Sequence, residues 1–353
     1  MHMADALLSP AVGGTMWGVA ATTIAYSSMK VKKELDDRKV PLMGVLGAFI
    51  FAAQMINFTI PATGSSGHLG GGMLLAILLG PHAALLTIAS VLVVQSLFFA
   101  DGGILALGCN IFNLGFFPAF IAYPLIYRKI AGSQPGRTRL SIAAMIGAVV
   151  GLQLGAFSVV LETVASGISS LPFSTFVVLM QPIHLAIGIV EGLVTATVVS
   201  FVAAARPEIL RAAGETAALG SLPLRKVLLS FLAVSLLTGG CISWFASENP
   251  DGLEWAIAKV SGAEEVSGRQ DGIHSILAAV QKKIAFLPDY SFKKDASAPI
   301  AGESNGSVEN ANEAGRLGTS VAGGVGALIS LALAFVIGFA FRRRQQVART
   351  LTF

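Results

Sequence analysis

Two histidines stand where an imidazole could do metal chemistry: His2, directly after the first residue, and His68, closing the run Gly64-Ser65-Ser66-Gly67-His68. A histidine in second position is chemically distinctive. The α-amine of Met1, the amide nitrogen of His2 and the His2 imidazole can grip one cation through a five-membered and a six-membered chelate ring. A second imidazole, from His68, would complete a square of four nitrogens, the geometry that suits divalent nickel or copper. An amide nitrogen must lose its proton to coordinate, so affinity should rise with pH. The loop around His68 holds five glycines (Gly64, Gly67, Gly70, Gly71 and Gly72), which permit close backbone approach. Ser65 and Ser66 are expected to hydrogen-bond the second nitrogen of the His68 imidazole and fix its tautomer. Asn57 and Gln54 are polar groups in an apolar stretch. They are read either as helix–helix hydrogen-bonding groups or, for Asn57, as support for the ligands from behind.

The elements that must position these residues are membrane helices. The chain has 353 residues, 54% hydrophobic and 12% charged, against about 25% charged in an ordinary soluble domain. Mean hydropathy is +0.73. The expected fold is an all-α, polytopic helical bundle. Expected spans are 11–29, 41–60, 82–99, 104–127, 141–164, 175–203, 227–246 and 321–341, with a short apolar piece at 70–80 counted as a ninth crossing. Basic residues cluster at Lys30 to Lys39, Arg128 to Arg139, Arg206 to Lys226 and Arg342 to Arg349, whereas 1–10, 61–69, 100–103 and 165–174 contain no Lys or Arg. The positive-inside rule then puts the clusters in the cytoplasm, the N-terminus outside and the C-terminus inside. His2 and His68 fall on the same, external side. The first ten residues lack a basic n-region, so no cleavable signal peptide is expected.

A composition shift near 206–226 divides the expected organisation into a membrane domain over 1–205, a cytoplasmic linker over 206–226 and a two-helix unit over 227–353. Within the last, 247–316 reads as a long external loop. Residues 273–287 have the apolar spacing of an amphipathic helix, and 293–316 the composition of a disordered tether. Cys109 and Cys241 sit in apolar runs and are expected as small buried hydrophobes.

Other polar groups have simpler readings. Asp101, in Phe99-Ala100-Asp101-Gly102-Gly103, is expected as a turn or cap residue. Asn110 and Asn113 are expected as inter-helix glue, and His82 as structural. Glu162, His184 and Glu191 lie within spans, where ionisable groups are functional candidates. They motivate an alternative, a secondary transporter that couples to an ion through these three groups. No phosphate-binding Gly-x-x-x-x-Gly-Lys-Ser/Thr run and no hydrolase or metalloprotease motif occurs, so the chain is not read as an enzyme or an ATPase.

Several runs, in order, resemble a known family. These are Met1-His2-Met3-Ala4-Asp5-Ala6-Leu7-Leu8-Ser9-Pro10, Gln54-Met55-Ile56-Asn57-Phe58, Gly64-Ser65-Ser66-Gly67-His68-Leu69-Gly70-Gly71, Phe99-Ala100-Asp101-Gly102-Gly103-Ile104 and Asn110-Ile111-Phe112-Asn113. Over about 1–205 the chain is similar to the substrate-capture (S) component of nickel/cobalt energy-coupling-factor transporters. Pro250-Asp251-Gly252-Leu253-Glu254 and Leu287-Pro288-Asp289-Tyr290 resemble the small PDGLE-domain partner of these systems, here fused to the S component. The resemblance implies capture of Ni²⁺ or Co²⁺ as transported substrate, with no cofactor, at Met1, His2 and His68. It implies partners too: a transmembrane coupling subunit and ATPase subunits, in the cytoplasmic membrane. It departs at Met3-Ala4-Asp5-Ala6, where relatives commonly carry Pro-Asp-Gly.

Overall fold

The computed structural model describes every residue except Met1, 35–38, Gln134, 169–170, 216–223, 263–271, 293–304 and 351–353. Among the described residues the chain is almost wholly helical, with one two-stranded sheet. It is a multi-pass membrane protein. Among the described residues five helical stretches are long and apolar enough to cross a bilayer: Pro81–Phe99, Leu107–Ala131, Arg137–Ser166, Phe173–Ala205 and Gly315–Ile337.

The order begins with α1 (Pro10–Glu34), opened by a proline whose missing N–H costs nothing in a first turn. Next come α2 (Lys39–Gln54), β1 (Phe58–Ile60), β2 (Ser65–Gly67), the eight-residue α3 (Gly72–Leu79) and α4 (Pro81–Phe99). A composite helix follows: α5 (Leu107–Ile111), a π-helical stretch (Phe112–Tyr127) and α6 (Arg128–Ala131). Pro118 and Pro124 lie inside the π stretch, where absent N–H donors favour the wider turn. The long pair α7 (Arg137–Ser166) and α8 (Phe173–Ala205) comes next, then the short α9 (Pro207–Glu215). The C-terminal segment contains α10 (Arg225–Gly240), α11 (Gly252–Ser261), α12 (Gly272–Ile284) and α13 (Asn305–Thr350).

The packing is that of a bundle in lipid. On α7 and α8 one row of large apolar side chains faces outward: Ile142, Ile146, Phe157, Leu161, Leu185, Ile189 and Leu193 are all exposed. Small residues face inward. A Cβ on Gly188 would sit 3.2 Å from Val149 Cα, and one on Gly192 3.1 Å from Met145 Cα. Without a hydrophobic drive between helices in lipid, such close backbone approach supplies the dispersion contact that holds the pair.

Three expectations change. The predicted span 41–60 is helical only to Gln54; Phe58–Ile60 leaves the helix and pairs antiparallel with Ser65–Gly67. The β-branched Thr59 and Ile60, the following Pro61 and the left-handed Gly64 (φ +75°) favour a strand and a turn there. The expected tether 293–316 is helical from Asn305 onward, because Ala- and Glu-containing sequence extends α13 upstream of its apolar part; 293–304 lies outside the described residues. Cys241 is exposed rather than buried. It ends α10, on whose outer side Leu229, Val234, Leu236 and Leu237 are exposed as well. The expected amphipathic helix is present as α12.

Candidate metal site

The chain start folds back into the end of the bundle where α4 stops and α5 begins. Met3 and Leu8 are fully buried and Leu7 nearly so. Asn110, one turn into α5, meets the Met3 backbone as a strand would: its Oδ1 accepts from Met3 N at 2.8 Å and its Nδ2 donates to Met3 O at 3.3 Å. Gly103 N donates to the same carbonyl at 2.9 Å. Asp5 accepts from Ala106 N at 2.9 Å. These bonds explain two glycines. A Cβ on Gly103 would overlap Asp5 Oδ1 at 1.9 Å, and Gly102 (φ +81°) sits against Asn110 and His2. Asn110 is thus the anchor of the N-terminal segment and not the inter-helix glue expected of it. Asn113 does join helices, donating to Glu162 at 2.7 Å.

His68 arrives from the opposite side. Gly67 lies so close to α8 that a Cβ would be 2.4 Å from Ile187 Cγ1. Glu191, one turn further along α8, accepts from Gly70 N at 2.9 Å and Gly71 N at 3.1 Å. Gln54 donates to Gly70 O at 2.9 Å and accepts from Gln95 at 2.9 Å. The loop is therefore tied to α2, α4 and α8 within three residues of His68.

Residues 66 positions apart in sequence thereby meet. The His2 and His68 rings lie with centroids 4.9 Å apart and planes inclined by 33°. His68 is 8% exposed, and burial, with the positive charges it faces, lowers its pKa to about 3. The ring is therefore neutral at physiological pH. Its Nδ1 lies 3.0 Å from Leu69 O; a carbonyl only accepts, so Nδ1 carries the hydrogen and Nε2 the lone pair. Ser65 and Ser66 do not have the role expected of them. The Ser65 hydroxyl donates to Ser66 O at 3.1 Å and that of Ser66 to Asn249 O at 2.7 Å, so each uses its one hydrogen elsewhere. Asn57 accepts from Ser247 N through its main-chain carbonyl, and its side-chain Oδ1 is buried without a hydrogen-bond partner. Met1 lies outside the described residues.

His2 Nδ1 donates to Asp101 Oδ1 at 2.7 Å, and His2 Nε2 is buried with no hydrogen-bond partner. Asp101, expected as a turn residue, is in direct contact with His2. Its other oxygen accepts from the Tyr290 hydroxyl. Burial alone would raise the Asp101 pKa; the His2 charge and the bonds from His2 and Tyr290 outweigh it and hold the carboxyl below the usual carboxylate range. From sequence Asp101 was read only as a turn or cap residue, and Tyr290 only within a run that resembles the PDGLE component, so their contact with each other and with His2 was not expected. A turn aspartate carries no mark of a partner 99 residues away, and a tyrosine in a loop none of one 189 away. Among the described residues no three His, Cys, Asp or Glu side chains converge on one point as a ligand set.

Three parts of the C-terminal segment cover the site. Ser66 N donates to Pro250 O at 2.8 Å, which sets Asp251 beside β2 in parallel register. Asp251 caps α11 through Leu253 N and Glu254 N, with Glu254 reaching back in a capping box. The indole of Trp255 donates to Thr63 O at 2.9 Å. From α12, His274 Nε2 donates to Leu8 O at 2.9 Å, and Gln281 donates to Ser96 O and Gly102 O.

The remaining sequence candidates are held by other partners. His184 Nδ1 donates to Met180 O of its own helix at 2.8 Å, and its Nε2 is buried without a partner. Glu162 accepts from Asn113 and Ser158. His82 begins α4, beside Ser27 and against Tyr26 and Phe120. α4 runs Pro81–Phe99, so His82 is about 26 Å from the end that leads into Asp101.

A family model described as "Cobalt uptake substrate-specific transmembrane region" matches residues 2–209, and one for the PDGLE domain matches 225–343. The chain belongs to the cobalt uptake substrate-specific transmembrane family. It is 34% identical over 337 residues to a "Putative fused nickel transport protein NikMN" of Archaeoglobus fulgidus, covering 96% of this chain and 98% of that one. It is 31% identical to the "Fused nickel transport protein NikMN" of Rhodobacter capsulatus, over 60% of this chain and 64% of that one. A solved structure titled "Crystal Structure of an Truncated Transition metal Transporter" superposes with a TM-score of 0.51 at 31% identity, covering 58% of this chain and 99% of that one. This family member is a metal-transport protein that carries a PDGLE domain on the same chain.

Proposed function

We propose that this chain captures Ni²⁺, and secondarily Co²⁺, outside the cell as the substrate-specific subunit of an ATP-driven uptake transporter of the energy-coupling-factor type. The ion is held by the Met1 amine, the amide nitrogen and imidazole of His2, and the His68 imidazole. The observation that carries this reading is the meeting of His2 and His68 at a ring separation of 4.9 Å, where Met3 buries the N-terminal segment. Four nitrogens in a plane suit nickel. The intrinsic stability order places copper higher, so discrimination rests on metal supply and on the rigidity of the site.

Sidedness follows from charge. Lys32 and Lys33 end α1, Arg137 and Arg139 open α7, Arg206 follows α8 and Arg225 opens α10, each at the helix end remote from His2 and His68. The positive-inside rule makes those ends cytoplasmic and the site external. The chain supplies capture, and a transmembrane coupling subunit with ATPase subunits supplies the energy for inward movement. The division at 206–226, between a capture domain and a two-helix unit, is part of the same reading.

Ion coupling through Glu162, His184 and Glu191 is the weaker alternative. Glu191 binds two main-chain N–H groups of the His68 loop and Glu162 binds Asn113 and Ser158, which are positioning roles. The test is metal analysis of the full chain with an unmodified Met1. About one nickel per chain is expected. It should be lost in His2→Ala, in His68→Ala and when residues are added before Met1, and kept in His82→Ala. Stoichiometric nickel in the extended chain would refute the amine ligand.

A further inference from the structure

α12 presents three different faces. It rests on the end of the bundle through His274, which donates to Leu8 O, and Gln281, which donates to Ser96 O and Gly102 O. Ser96 lies in the last turn of α4, so α12 sits level with the end of a membrane-crossing helix. His274, Leu277 and Gln281 form the row turned toward the bundle; His274 is buried and the other two are half-buried. At about 100° per residue, Ile273, Ile276, Val280 and Ile284 form a second row, roughly a quarter-turn to one side of the first. All four are exposed, Ile276 by 62%. On the other side, roughly a third of a turn from the inward row, Ser275 and Lys282 are exposed. One flank is apolar and the other polar. A helix surrounded by water on both flanks has no use for that asymmetry, whereas one at the rim of a membrane bundle does.

The apolar flank continues into a surface that already faces lipid. Phe286 and Phe292 follow α12 and are exposed as well. Phe292 rests on α13: its Cδ2 lies 3.4 Å from where a Cβ on Gly318 would stand. Beside Gly318, Leu317 and Val321 are exposed on a helix long and apolar enough to cross the bilayer. Trp244 marks the same level. Its indole donates to Ser320 Oγ at 2.7 Å, and the Arg316 guanidinium lies 5.9 Å from its ring centroid. An exposed tryptophan with its N–H satisfied and a cation beside it belongs at the membrane–water interface. We propose that α12 is an interfacial helix and that lipid covers its apolar flank, which enters the headgroup–acyl boundary at this end of the bundle. Helices of this kind bury an apolar face about 5–10 Å into that boundary. Lys283 stands at the edge of the row, where a long side chain carries its ammonium out to the phosphates. His274 and Gln281 hold the carbonyls of Leu8 and Gly102. The bilayer thereby seats the helix that ties the N-terminal segment to the turn before α5.

The experiment places nitroxide labels on the full chain in vesicles of phosphatidylcholine and phosphatidylglycerol. Cys241→Ser removes the exposed thiol, and Cys109 is fully buried, so an added cysteine is the one that labels. Ile276→Cys and Val280→Cys sample the apolar row, Ser275→Cys and Lys282→Cys the polar flank, and Leu317→Cys supplies the lipid-facing reference on α13. Each label's relaxation is measured with molecular oxygen, which concentrates in lipid, and with chromium oxalate, which stays in water. The ratio of oxygen to chromium accessibility should be several-fold higher at 276 and 280 than at 275 and 282, and should approach that at 317. Equal ratios at all four α12 positions would overturn the proposal, as would chromium access at 276 and 280 equal to that on the polar flank. Labels at 276 and 280 shielded from both reagents would overturn it too, because the cover would then be protein, a second copy of this chain.

Discussion

Gly67→Ala tests how far the geometry of α8 reaches into the metal site. The added Cβ would lie 2.4 Å from Ile187 Cγ1 and 2.5 Å from Cδ1, well inside ordinary contact. Ile187 is 3% exposed and cannot swing into solvent. On the other side, β2 is held by β1 and by Pro250 O. Strand and side chain must therefore part by about 1 Å to restore van der Waals contact, and His68 is the next residue. A preorganised site tolerates about 0.5 Å. Overpacking of a buried position costs about 1–3 kcal/mol. If most of that is felt as displaced His68, nickel affinity falls roughly 5- to 150-fold. Calorimetric titration of nickel into the full chain measures this directly. Ile187→Ala in the same chain removes both clashing atoms and leaves Ile187 Cβ at 3.5 Å, so the double variant should regain most of the lost affinity. Nickel binding by Gly67→Ala within twofold of the parent would refute the coupling, as would an unrescued double variant.

Glu191→Gln should weaken nickel binding about tenfold, because the amide keeps one acceptor and turns an NH₂ toward the other main-chain N–H, leaving a buried donor unpaired at about 1–3 kcal/mol; unchanged affinity in the same titration would detach Glu191 from the His68 loop. Acid should destabilise the metal-free protein through His68. Its folded pKa is depressed from 6.5 to about 3, so the unfolded chain takes up a proton that the folded chain refuses. Stability from this group is complete above pH 6.5 and is lost as pH falls toward 3. Thermal unfolding across that window should show a steeper fall for the parent than for His68→Gln, and parallel curves would contradict the assignment.

The membrane helices were legible because each is a long apolar run, and the meeting of His2 with His68 because charge pattern and chelate chemistry make separate demands that agree. What was hidden was what lies between elements. Gln54 looked like generic polar glue, and the sequence does not say that it ties Gly70 O to Gln95. Ser66 lies two residues from His68, which made it a plausible partner for the ring, but β2 turns its hydroxyl toward Asn249 in the C-terminal segment. Periodicity reports which face of an element is buried, not which residue is buried opposite. The contact of Asp101 with Tyr290 was missed for the same reason: only the docked C-terminal segment creates it. The strand at Phe58–Ile60 was missed because an apolar run of that length looks the same entering a strand as continuing a helix.

These contacts bear on how such a site can prefer nickel at all. Nitrogen donors bind copper more tightly, so donor identity alone favours the wrong ion. What a protein can add is resistance to distortion. The His68 loop is pinned by Glu191 at Gly70 and Gly71, by Gln54 at Gly70 and by Pro250 at Ser66, and the N-terminal segment by Asn110 at both polar groups of Met3. All of these bonds are to main chain, which has fewer ways to yield than a side chain. An ion that prefers a tetrahedral or elongated arrangement must strain several such bonds at once, whereas one content with a plane strains none. On this argument, loosening one pin should change discrimination between metals more than affinity for nickel, and the two quantities can be measured on the same variants.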